Sequence, residues 1–167
     1  NMGNALNDKG DLEVAIDSYK QALKIKPYYA EAYFNMGNAL KDKGDLEAAI
    51  DSHKQAINIK PDFAEAYFNM GNALKDKGNL EAAIDNYKQS LKIKPDSAEA
   101  YNNMANALKD KGDLEAAIDI YNQALKIKPD SQVLLAGKFY LQSHICDWAG
   151  LEQDRDLIRL LGTKKEP

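Results

Sequence analysis

The sequence predicts an all-α protein, an α-solenoid of helix pairs rather than a chain wrapped around one central core. Three observations predict it. Shifted by 34 residues, Ala30–Phe63 matches Ala64–Ser97 at 27 of 34 positions, and Ala64–Ser97 matches Ala98–Ser131 at 28. A fixed period of this length marks units that bury their apolar faces only against their neighbours. Within each unit the apolar residues recur at helical spacing, and Gly, Asp and Pro stand at the same three places in every unit.

The elements follow in order. Tyr33, Met36, Gly37 and Leu40 fall at i, i+3, i+4 and i+7, one apolar stripe on a first helix. Leu46, Ala49, Ile50, His53, Ala56 and Ile57 make the corresponding stripe on a second. Asp62-Phe-Ala-Glu65 and Asp96-Ser-Ala-Glu99 read as capping boxes that open the first helices. Gly10, Gly44, Gly78 and Gly112 close them in the left-handed conformation, and Asp11, Asp45, Asn79 and Asp113 cap the second helices. Pro27, Pro61, Pro95 and Pro129 then end each unit, because proline has no amide for a continuing helix. Small residues at Gly37, Gly71, Ala49, Ala83 and Ala117 let the paired backbones approach closely. The array is thus expected over 1–131, as a partial unit 1–29 and full units 30–63, 64–97 and 98–131. Residues 132–161 fit a degenerate capping helix pair with Asp147 as a cap. Its polar side would carry Glu152, Asp154, Arg155, Asp156 and Arg159, and 162–167 would form a flexible tail. Phe139 and Leu151 replace the small close-contact residues, so this pair is expected to pack differently. Residue 1 is Asn and the pattern opens part-way through a unit, which suggests a piece of a longer protein.

Composition narrows the function classes. The 167 residues are 44% apolar and 29% charged, with 22 Lys plus Arg against 26 Asp plus Glu and a net charge of −4. No apolar run approaches the roughly 20 residues that span a bilayer, and no basic block offers a nucleic-acid footprint. One cysteine, Cys146, excludes an internal disulfide, and with only His53 and His144 beside it a four-ligand zinc site is out. The expectation is no cofactor, no metal, no nucleic acid, no membrane, and a cytoplasmic location. No nucleophile elbow, phosphate loop or His-Glu-x-x-His helix occurs, so no enzymatic activity is expected. The recurrent Asp-Lys-Gly-Asp turn has too few carboxylates for calcium and reads as a turn and cap.

Tyr33-x2-Met36-Gly37-x2-Leu40 followed by Ala49, His53, Ala56 and Pro61 resembles the tetratricopeptide repeat, as does Tyr67-x2-Met70-Gly71-x2-Leu74 with Ala83, Tyr87 and Pro95. That resemblance implies a right-handed solenoid of helix-turn-helix repeats whose first helices line an inner, concave wall.

The candidate site is the outward stripe of those first helices. Asn35, Asn69 and Asn103 recur in one register with Asn1, and Asn38, Asn72 and Asn106 in a second with Asn4. Asn is a mediocre helix former, so its repeated use inside helices has a propensity cost that solvation does not require. Its amide both donates and accepts, which suits the peptide units of an extended ligand whatever that ligand's side chains. Two uses stay open: gripping a ligand backbone, or bonding between adjacent first helices to fix the superhelix. Phe34 and Phe68 on the same stripe are anchors for partner side chains, with Asn102 at the third place. Glu31, Glu65 and Glu99 add negative charge that Lys41, Lys75 and Lys109 offset farther along. Four Asn bonds at about 0.5–1.5 kcal/mol each total only about 2–6 kcal/mol, so the Phe anchors or a long ligand are needed for appreciable affinity.

Ala30-Glu-Ala-Tyr-Phe-Asn-Met-Gly-Asn38, with Cys146-Asp147-Trp148 after the last repeat, resembles the repeat region of O-linked N-acetylglucosamine transferases. That resemblance implies an Asn ladder at Asn35, Asn69 and Asn103 that presents protein substrates to a catalytic domain this chain lacks. The partner expected is therefore a protein or extended peptide. The alternatives are service as an enzyme's recognition arm, or self-association through an uncovered end near Met2 and Leu6. A receptor for a terminal carboxylate fits less well, since the groove positions carry Phe, Asn and Glu rather than a basic clamp.

Overall fold

The computed structural model describes residues 11–146 and 148–153, and among these there are helices and short connections but no strand. The helices are α1 (Leu12–Ile25), α2 (Ala30–Lys43), α3 (Leu46–Ile59), α4 (Ala64–Asp76), α5 (Leu80–Ile93), α6 (Ala98–Lys111), α7 (Leu114–Ile127), α8 (Gln132–His144) and α9 (Trp148–Gln153). Within each unit, helices adjacent in sequence pack against one another. The chain divides into two compact units, Asn1–Pro95 with α1–α5 and Asp96–Pro167 with α6–α9.

The second helix of each pair begins where the cap pattern requires. Asp11, Asp45, Asn79 and Asp113 accept from the amides of Val14, Ala48, Ala82 and Ala116 at 3.4, 3.2, 3.3 and 3.4 Å, satisfying a donor the helix itself leaves free. The first helices end on Gly44 and Gly112 at φ of 90° and 92°, where a Cβ would be strained.

The first helices begin differently from the expectation. Their N-caps are Phe63 and Ser97, not Asp62 and Asp96. The chain leaves Pro61 through a turn in which the Phe63 amide donates to the Lys60 carbonyl at 3.2 Å, so the helix starts one residue later than a capping box at Asp62 needs. Asp62 therefore stands too far back to reach the first free amides. Ser97 does take the role, accepting from Ala100 at 3.2 Å, while Phe63 makes no side-chain cap.

In the first unit, Ala15, Ile16 and Tyr19 of α1 form one core cluster with Ala39 and Leu40 of α2 and Ala49 of α3. Gly37 is required by the α2–α3 approach: a Cβ there would lie 2.7–2.9 Å from the His53 ring. Charged pairs tie each pair to the next, Lys43 to Glu13 at 2.8 Å and Lys77 to Glu47 at 2.7 Å.

In the second unit, Ala105, Ala117, Ile118 and Tyr121 pack with Leu134 and Leu141 of α8. Phe139 is half-buried, and the close approach belongs to Gly137, whose Cβ would lie 2.6 Å from the Tyr121 ring and 2.7 Å from its hydroxyl. Lys138 and Gln142 are buried on the same helix, and Glu152 is exposed. The expectations for Asn1, Met2, Asn4, Leu6, Gly10, Asp147, Asp154, Arg155, Asp156, Arg159 and the tail 162–167 lie outside the described residues.

Candidate functional site

The first-helix stripe of the first unit is carried by α2 and α4, which contact each other directly. Asn35, Asn38, Asn69 and Asn72 are all half-buried, as are Phe34 and Phe68, while Glu31 and Glu65 are exposed. Glu31, Phe34, Asn35 and Asn38 share one face of α2, roughly opposite Met36 and Leu40, while the buried Ala32 and Ala39 stand one turn from Asn35 on its flank.

The two Asn registers meet across the helices. Asn69 Nδ2 donates to Asn38 Oδ1 at 2.7 Å, one cross-helix bond linking a residue of each register. The bond leaves the Asn69 carbonyl and one of its amide hydrogens for other partners, together with the Asn38 amide group. Asn35 makes no side-chain hydrogen bond to a described residue. The second register is also tied to the second helices. Tyr87 Oη donates to Asn72 at 2.8 Å, and in the other unit Tyr121 Oη donates to Asn106 at 2.9 Å. Burial pushes both phenols above their ordinary range, with Asp76 adding to the effect on Tyr87 and Asp110 on Tyr121, so both remain protonated donors.

His53 breaks this pattern. It occupies the position of Tyr87 and Tyr121, is fully buried, and neither ring nitrogen has a partner. Burial, helped by the charge of Lys41, lowers its pKa to about 4. Its ring lies 5.7 Å from that of Phe34, close to the 5.9 Å between Phe68 and Tyr87. No sequence pattern announced the lost donor, although the exchange of His for Tyr at one place in the repeat was visible.

The charged lines are largely self-neutralised in the first unit. Glu31 lies 3.9 Å from Lys60, Glu65 3.6 Å from Lys94, and Lys41 3.5 Å from Asp76. Lys75 is half-buried near the end of α4. In the second unit Asn103 accepts from Asn102 Nδ2 at 3.4 Å, Lys109 lies 3.6 Å from Asp110, and Glu99 is exposed. The position after Asn103 in its register is Gly137, where the Tyr121 hydroxyl fills the space of a side chain.

A cavity of about 250 Å³ opens beside Glu99 and Asn102. A larger one of about 400 Å³ lies away from the Asn stripe, over Ile16, Met36, Leu40 and Ala48. Among the described residues no group of three or more His, Cys, Asp or Glu is placed to hold a metal, and no helix is long and apolar enough to cross a membrane.

Models described as TPR repeat match residues 3–44, 37–78 and 71–112, and one described as tetratricopeptide repeat matches 98–131. The chain belongs to the tetratricopeptide repeat family. Among solved structures, this tetratricopeptide chain is similar to the crystal structure of MamA, with 25% identity over 97% of this chain and 91% of that one and a TM-score of 0.84. MamA from Desulfovibrio magneticus RS-1 is 17% identical over 99% and 94%, with a TM-score of 0.87. YrrB, titled a TPR protein with an unusual peptide-binding site, is 19% identical over 85% and 73%, with a TM-score of 0.73. The last two likenesses concern the fold alone. No curated protein sequence matches the chain.

Proposed function

We propose that this chain is a protein-interaction scaffold that takes an extended peptide along the first-helix face, with Asn35 and Asn69 meeting the ligand backbone. The supporting observation is that α2 and α4 keep carboxamides and aromatic rings half-exposed in matching registers while their small residues face inward. An amide that donates and accepts is complementary to any peptide unit, so the grip does not depend on ligand sequence. Asn72 and Asn106 are assigned mainly to holding the scaffold, since each accepts from a tyrosine of the paired second helix, whereas the bond shared by Asn38 and Asn69 leaves the Asn69 carbonyl and one amide hydrogen for a ligand. Phe34 and Phe68 flank the backbone contacts, and Asn103 continues the register on α6. Glu31, Glu65 and Glu99 with Lys41, Lys75 and Lys109 contribute a mixed-charge rim. YrrB, which shares the fold, is a TPR protein with an unusual peptide-binding site. A cytoplasmic setting suits a chain whose one cysteine is free and exposed.

The test is a titration of an extended peptide against the wild type, Asn35→Ala, Asn69→Ala and the double variant. Each single change is expected to weaken binding by a factor of about 2–10, from a net hydrogen bond of about 0.5–1.5 kcal/mol. Unchanged affinity in the double variant removes the backbone grip.

A second reading, a recognition arm for a downstream glycosyltransferase, rests on Ala30-Glu-Ala-Tyr-Phe-Asn-Met-Gly-Asn38 and Cys146-Asp147-Trp148. Reading the parent coding sequence beyond Pro167 decides it. Self-association has an exposed apolar surface at Ile25 and Tyr28 in its favour, and light scattering over a concentration range tests it.

A further inference from the structure

The cavity of about 250 Å³ in the second unit is lined by Ala98, Glu99, Asn102, Lys128, Ser131, Val133 and Leu134. Each lining residue has a counterpart two repeats earlier, and there the same space is full. Phe34 and Phe63 stand at the places of Asn102 and Ser131, with ring centroids 4.9 Å apart. Lys60, at the place of Lys128, holds its ammonium 4.8 Å from the centre of the Phe63 ring. Exchanging two phenyl groups for a carboxamide and a hydroxymethyl empties the site while its frame persists. Of the remaining lining, Ala98 and Leu134 are buried, Val133 is exposed at the mouth where the earlier repeat has Glu65, and Glu99 adds an exposed carboxylate. The charge balance differs as well. Glu31 pairs with Lys60, whereas no ion pair among the described residues joins Glu99 to Lys128. Lys128 is therefore available to a ring in the way Lys60 already is.

We propose that this cavity is a socket for one aromatic side chain, Phe or Tyr, of the bound extended peptide, seated between Asn102 and Ser131 with Lys128 against the ring. The space exceeds the roughly 150 Å³ that admits a benzene molecule, and the chain's own Phe34–Phe63 pair shows what the frame accepts. This assignment rests on the peptide-binding reading of the first-helix face and adds to it the side-chain class that the second unit accepts.

The experiment compares acetyl-Ser-Thr-Ser-Phe-Ser-Thr-Ser-amide with the same peptide carrying Ala for Phe, each titrated by NMR into the full chain. The Phe peptide is expected to bind at least fivefold more tightly. Ser131→Phe, which rebuilds the filled arrangement of the first unit, is expected to erase that advantage, and Lys128→Met to reduce it by a factor of two to three. Phe63 opens α4 without a side-chain cap, and Ser131 opens α8 likewise, so the substitution removes no cap bond. Should Ser131→Phe fail to fold by circular dichroism, Asn102→Phe must erase the same advantage. An advantage that survives the filled socket, or no advantage at all, overturns the proposal. So does a concentration-dependent mass that Ser131→Phe abolishes, which assigns the socket to a second copy of the chain. Asn35→Ala and Asn69→Ala separate this outcome from the parent reading. If they weaken neither peptide while Ser131→Phe still removes the Phe advantage, the backbone grip fails and the socket stands.

Discussion

His53 concentrates much of what single side chains decide here. Its folded-state pKa of about 4 lies below the ordinary 6.5, so between these values the unfolded chain binds the extra proton and the folded chain resists it. Stability from this residue is complete above about pH 6.5 and is lost as the pH falls toward 4. The difference corresponds to about 3 kcal/mol in total. Between pH 7 and 4.5 the unfolding free energy is expected to fall further for the wild type than for His53→Phe, by about 2–3 kcal/mol. An equal fall in both removes His53 as the cause. Cys146 offers a second residue-scale test. It is exposed and sits at φ of 57°, a conformation costly for any residue with a Cβ. Cys146→Gly is therefore expected to raise stability by about 1 kcal/mol in chemical denaturation, and the native thiol to react with a water-soluble disulfide reagent without prior unfolding.

Helix ends separate what the sequence displays from what only coordinates reveal. Asp45→Ala is expected to cost about 1 kcal/mol because it removes the cap of α3. Asp62→Ala should stay within about 0.5 kcal/mol, since Asp62 caps nothing. Similar losses from both would restore the capping-box reading. The second-helix caps and left-handed glycines were legible because each depends on one residue type at one offset. The first-helix starts were not, because Asp62 and Asp96 stand at the right offset from Glu65 and Glu99 while the turn after proline moves the helix start by one residue. The same limit applies to the candidate face. Spacing marked Asn35, Asn69 and the Phe side chains as one stripe, but their half-burial, the packing of Phe34 on Phe63 and His53, the Asn38–Asn69 bond and the Tyr87 and Tyr121 donors depend on distances between elements that spacing does not contain. Gly137 is a further case. Its substitution by Ala in α8 gains up to about 1 kcal/mol in helix propensity, yet meets the Tyr121 ring at a cost of about 1–3 kcal/mol. Net destabilisation of about 1 kcal/mol is expected, and a gain in midpoint would show that Tyr121 yields.

Within each unit, stability arises in contacts between helices that neighbour one another in sequence rather than in one central core. Native-state hydrogen exchange should accordingly be slowest in α2–α4 and α7, which have packed neighbours on both sides, and fastest in α9, a helix of 6 residues. Uniform exchange across all helices would contradict that picture. The two ion pairs Lys43–Glu13 and Lys77–Glu47 join residues thirty apart in sequence, each reaching from one repeat to the one before it. Because every junction in the first unit uses the same lock and key, copying or excising one whole repeat regenerates both halves of a fitting joint. A step of 34 residues, whether added or removed, thus keeps the same Lys–Glu meeting at each seam of that unit.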